Sequence, residues 1–224
     1  LSFVPVGDSG YEVSLTSGAT MYDVGTAVSL SGGVAYLDTA GFSFPVPGMS
    51  APVENLFVSK NGVITTRTTS DIGDIDDNGS PWYIRGRMLL SAQFTIGALM
   101  KNLDASSTGQ ILGYRDAAEQ RVVVTYQDVP AAGTSEPNTL QIMIGEDGTI
   151  ELIVGELANT GAIVSPSILG TLGIAGGHTP IADLRGTNPI DFSELRDGSV
   201  FIPFDMTAAI FEQFESGTGR SCNG

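Results

Sequence analysis

The strongest constraint on the fold is the period of the apolar residues, which is two, in short runs separated by turns rich in glycine. Tyr11-Glu12-Val13-Ser14-Leu15 alternates as a strand with one buried face does. Thr26-Ala27-Val28-Ser29-Leu30 and Val34-Ala35-Tyr36-Leu37 read as two strands about a Gly32-Gly33 turn. Leu56-Phe57-Val58-Ser59 and Val63-Ile64-Thr65-Thr66 flank Lys60-Asn61-Gly62, and Asn-Gly is a strong hairpin signal because both residues tolerate positive φ. Arg121 to Tyr126 is rich in β-branched residues, and the runs Leu140–Ile144 and Thr149–Val154 bracket a Glu146-Asp147-Gly148 turn. Short strands at this spacing predict an all-β, antiparallel β-sandwich of the Greek-key or jelly-roll kind.

Helical signal is sparse. Phe94 to Leu103 reads as a short helix or an irregular strand. Thr207 to Phe214 is the best helical candidate, with Asp205 placed as its N-cap. The expected organisation is therefore a β-sandwich over residues 1–200 and a C-terminal extension over 201–224, with a short helix and a flexible Gly/Ser tail.

Charge narrows the partners. With 25 acidic and 10 basic residues the net charge is −15, which repels phosphate backbones and excludes nucleic-acid binding as an expected function. Anionic membranes are disfavoured in the same way, and no apolar run reaches the roughly 20 residues that span a bilayer, so no membrane insertion is expected. Cys222 is the only cysteine, so no internal disulfide supports the fold. The sequence opens at Leu1 without a Met or a signal-like segment, as a processed mature chain or an excised fragment would.

The middle of the chain carries a resemblance. Phe42-Ser43-Phe44-Pro45 is followed by Glu54-Asn55-Leu56-Phe57-Val58-Ser59-Lys60-Asn61-Gly62-Val63-Ile64. Thr108 to Arg115, Arg121 to Pro130, Asn138 to Glu151 and Leu172-Gly173-Ile174 follow in order. Across residues 40–178 this series resembles the nidogen-like β modules of secreted and surface bacterial proteins. Where the family carries a Trp and paired acids, this chain has Gly97 to Asp104, keeping only Leu103-Asp104. The resemblance implies a non-catalytic module of matrix or surface proteins, extracellular or on the cell surface, without implying a ligand.

The one local metal motif is Asp74-Ile75-Asp76-Asp77-Asn78-Gly79-Ser80. Asp74, Asp76, Asn78 and Ser80 sit at alternate positions, as the first half of a calcium loop does, and Gly79 permits its sharp turn. Calcium is the expected cofactor. Arg85 stands at the twelfth position, where a bidentate Glu belongs, and Pro81 bars the usual helix, so an Asp/Asn/Gly turn explains the same residues. Asn78-Gly79-Ser80 is also a glycosylation sequon.

No catalytic constellation assembles from the motifs. Asp38-Thr39-Ala40 departs from the Asp-Thr-Gly of aspartic proteases and reads as a strand end, and His178 is the only histidine. The nucleophile elbow, zincin and P-loop patterns are absent, and Trp82 alone makes no sugar platform. Phe201, Phe204, Phe211 and Phe214 read as the apolar face of an element packed on the sandwich, or as an exposed segment that docks on another copy; the Leu1–Gly10 lead reads the same way. Two functions are expected. One is a structural or adhesive surface module, self-associating or binding other surface proteins and stabilised by calcium. The other is an accessory domain of a secreted enzyme that binds a ligand such as a glycan.

Overall fold

The computed structural model describes residues 1–16, 18–29, 33–66, 93–99, 103–106, 108–157, 169–176, 192–195 and 198–215. Two antiparallel sheets face each other, as the alternation requires. The first half of the chain supplies β1 (Ser2–Pro5), β2 (Gly10–Ser14), β3 (Thr26–Ala27), β4 (Val34–Leu37), β5 (Leu56–Ser59), β6 (Val63–Thr65) and β7 (Thr95–Gly97). The second half supplies β8 (Gln110–Asp116), β9 (Arg121–Gln127), β10 (Leu140–Gly145), β11 (Ile150–Val154), β12 (Leu169–Ala175), β13 (Ser199–Pro203) and β14 (Ala209–Glu215). The eight-stranded sheet has the order β13-β2-β1-β11-β10-β9-β8-β3, and the six-stranded sheet β14-β12-β7-β6-β5-β4. Phe192–Leu195 forms a single 3-10 turn.

Alternation decides what is buried. In the large sheet Phe3, Val13, Ile150, Ile144, Ile142, Val122, Val124 and Tyr126 point inward and are fully buried. In the small sheet Val58, Ile64, Ile96, Ile174 and Ile210 lie opposite one another from strand to strand and complete the core. A chain of rings links the layers: Phe42–Phe44 at 5.8 Å, Phe44–Phe94 at 6.3 Å, Phe94–Phe204 at 6.0 Å, Phe204–Tyr11 at 5.3 Å and Tyr11–Phe3 at 6.1 Å. Tyr126 ties the sheets by a hydrogen bond as well, its hydroxyl donating to Ser59 O at 2.6 Å. Burial holds that phenol well above its ordinary pKa.

Two of the expected turns form, β10–β11 and β5–β6, the second with only its glycine at positive φ. In β10–β11 Asp147 Oδ1 accepts from Thr149 N at 2.9 Å, and Gly148 has φ +88°. The β5–β6 loop holds three residues, and Gly62 at φ +76° is the one in left-handed conformation, as in a type I turn closed by a glycine bulge.

Two expectations are corrected. Thr26–Leu30 and Val34–Leu37 do not pair with each other: β3 joins β8 in the large sheet, while β4 joins β5 in the small one. The chain changes layer between them, and alternation cannot distinguish a hairpin from such a crossing. The Thr207–Phe214 helix is also replaced, by strand β14, which pairs with β12 over seven residues. So short a helix is marginal alone, whereas a ladder along β12 satisfies the same backbone groups. The capping chemistry at Asp205 survives without a helix: its Oδ1 accepts from Thr207 N and Thr207 Oγ1, both at 2.7 Å, making a turn into the strand. Strand β13 spans Ser199–Pro203, and Phe204 and Phe211 are buried.

β2 lies beside one edge of the large sheet and β3 forms the other. Between them residues 18–25 lie as a strap over its outer face, with Tyr22 bonded to Gln141 and Glu151.

Candidate functional site

Strand β13 ends the large sheet among the described strands, with β2 as its partner. Its five residues, Ser-Val-Phe-Ile-Pro, carry no charge, and Val200 and Phe201 are 39% and 47% exposed. Register places Phe201 opposite Glu12, and Glu12 opposite Val4, in one row on the outer face. Val4 is also exposed, as is Val6 just beyond β1. Strand β13 itself is uncharged on a chain of net charge −15, with Glu12 the acid in the row beside it.

A second feature is a cleft of about 650 Å³ where the ends of the two sheets meet. Val28, Leu103 and Ile111 line it with Lys60, Asp104 and Ser106. The β5–β6 turn positions Lys60: Lys60 N donates to Gly33 O at 2.8 Å, and buried Asn61 accepts from Leu103 N at 3.4 Å. Asp104 Oδ1 accepts from both Ser106 N, at 3.0 Å, and Ser106 Oγ, at 2.5 Å. The Ser106 hydroxyl and then its amide hold the Asp104 carboxyl below its ordinary pKa, and Lys60 adds to the effect.

Because the folded carboxyl ionises more readily than the unfolded one, its stabilising contribution is present above the unfolded pKa and is lost as the pH falls through the folded value. Ser106→Ala is expected to move the Asp104 titration upward, toward the ordinary carboxylate value, with the NMR shift of its carboxyl carbon as the readout. An unmoved titration would show that the Ser106 hydroxyl does not set it.

Asp38-Thr39-Ala40 forms a strand end: Asp38 Oδ1 accepts from Ala40 N at 3.2 Å, and Arg115 donates to Ala40 O and Gly41 O. The expected calcium ligands Asp74, Asp76, Asn78 and Ser80 lie outside the described residues, as do Trp82, His178 and Cys222. Among the described residues no group of three or more His, Cys, Asp or Glu is placed to hold a metal ion. No helix among them is long and apolar enough to cross a membrane. Comparison with protein-family models, with curated proteins and with solved structures finds no match.

Sequence reasoning grouped Phe201 with Phe204, Phe211 and Phe214, and periodicity alone could not say which ring faces water. Alternation along Ser199-Val200-Phe201-Ile202-Pro203 puts Phe201 on the opposite side from Val200 and Ile202, and only the pairing with β2 shows which side is the outer one.

Proposed function

We propose that this chain is a non-catalytic extracellular structural or adhesive module that works by self-association, with β13 as its docking edge. The observation that carries the reading is the composition of that edge. An edge strand offers unpaired N–H and C=O groups to any other strand, and edges that must stay free carry charges, bulges or prolines. β13 carries no charge along Ser199–Ile202, exposes Phe201, and has only Pro203 at its end as a guard. Paired antiparallel with itself about Phe201, it would set Val200 opposite Ile202 and extend the eight-stranded sheet across two copies. In this reading calcium stabilises the module through Asp74, Asp76, Asn78 and Ser80.

Sedimentation velocity over a range of concentrations, in calcium and in chelator, tests the reading. The wild-type chain is expected to shift to larger species with concentration, more so in calcium. Phe201→Lys is expected to stay monomeric while melting normally, since an exposed substitution alters stability by about 0.5 kcal/mol or less. A wild-type monomer at every concentration would end the proposal.

The second reading, a ligand-binding accessory domain, is favoured by the cleft beside Lys60 and Asp104. None of its described lining residues is aromatic, which weakens the case for a glycan in particular. A glycan array on the monomeric Phe201→Lys variant separates the two readings: a specific hit would support this one.

A further inference from the structure

The strap does more than connect two edges. Register sets Leu112, Thr125, Gln141 and Ile153 in one row across the outer face of the large sheet, with Val123, Met143 and Glu151 in the next. Leu112, Val123, Met143 and Ile153 are buried there, although none belongs to the core between the sheets.

Tyr22 fastens the strap to this face. One side chain reads its backbone in both directions: Gln141 Oε1 accepts from Tyr22 N at 2.7 Å, and Gln141 Nε2 donates to Tyr22 O at 3.0 Å. Gln141 is itself oriented by donating to Thr125 Oγ1 at 2.8 Å. A side-chain amide thus supplies the donor and acceptor that a neighbouring strand would supply, and such recognition demands extended backbone rather than a particular sequence. The ring is selected separately. The Arg121 guanidinium lies 4.2 Å from its centroid, and its hydroxyl donates to Glu151 Oε2 at 2.7 Å. Where the strap ends, Gly25 passes so close to β8 that a side chain there would strike Gly113 O.

We propose that this outer face is a docking groove for an extended, tyrosine-bearing segment, filled in cis by residues 18–25 and able to take the same segment from a second copy. The occupant follows from the contacts, since the segment the groove holds is the chain's own. Occupancy by a second copy rests on the assembly reading above; the groove itself does not.

The probe is a fluorescein-labelled peptide, Gly18-Ala19-Thr20-Met21-Tyr22-Asp23-Val24-Gly25, added to the Tyr22→Ala protein and followed by anisotropy. Saturable binding is expected, at least about tenfold tighter than to wild type, whose own strap competes at a roughly millimolar effective concentration. Replacing the peptide's tyrosine by phenylalanine is expected to weaken binding about tenfold, through loss of a bond to a carboxylate. Gln141→Ala added to the Tyr22→Ala protein should abolish binding. If Tyr22→Ala does not fold, Tyr22→Phe, which loses only the hydroxyl, serves in the same assay. Absence of saturable binding to the folded variant overturns the groove. Sedimentation of the same protein reports separately on assembly, so either claim can fail while the other stands.

Discussion

Tyr126→Ala is expected to destabilise the fold by about 4 kcal/mol, the cost of removing a large ring from a packed core. Tyr126 is fully buried on β9, at the place where the two layers are tied by a hydrogen bond as well as by packing. Its hydroxyl reaches Ser59 O at 2.6 Å and Val63 O at 3.3 Å, the two residues that close the β5–β6 hairpin. Tyr126→Phe keeps the ring and removes only that tie, and should cost about 1–2 kcal/mol, because a buried carbonyl loses a donor. Urea denaturation of the two variants separates packing from hydrogen bonding. Equal losses would mean that the hydroxyl, rather than the ring, carries the stability.

Gly62→Ala is the second large effect, at about 3 kcal/mol or more. A Cβ at Gly62 would sit 2.2 Å from Leu99 O, a backbone atom that cannot move aside cheaply, and its φ of +76° already disfavours a side chain. Gly133 supplies the control. It has nearly the same φ, +78°, with nothing within 4 Å of the Cβ position. Gly133→Ala should therefore cost only the conformational part, about 1 kcal/mol. The difference between the two in denaturant titrations measures the collision with Leu99. If the variants match, the close approach of residues 62 and 99 is not a constraint on the fold.

Much of the sandwich was legible because each strand reports its own buried face. Tyr11 and Val13 alternate with Glu12 and Ser14, and the Asn61-Gly62 and Asp147-Gly148 turns announce themselves by side-chain chemistry. What lay beyond reach was non-local. Nothing in residues 26–37 tells that the chain leaves one layer for the other between Ala27 and Val34. Nothing in Asp205-Met206-Thr207 distinguishes a helix cap from a turn into a strand, since Asp205 makes the same bonds to Thr207 in either case. The place of β13 at the end of the large sheet among the described strands depends on its pairing with β2, nearly two hundred residues away in sequence. The strap was missed for the same reason, because Tyr22 gains meaning only beside Gln141, Glu151 and Arg121. The metal loop at Asp74–Ser80 was the easiest motif to read, and it lies outside the described residues.

Assembly through β13 is tested by backbone hydrogen exchange of residues 199–202 as a function of protein concentration. Protection of these amides is expected to rise with concentration in the wild-type chain and to stay low in Phe201→Lys, while the buried strands β9 and β10 exchange equally slowly in both. Exchange at 199–202 that ignores both concentration and the substitution would contradict assembly through β13.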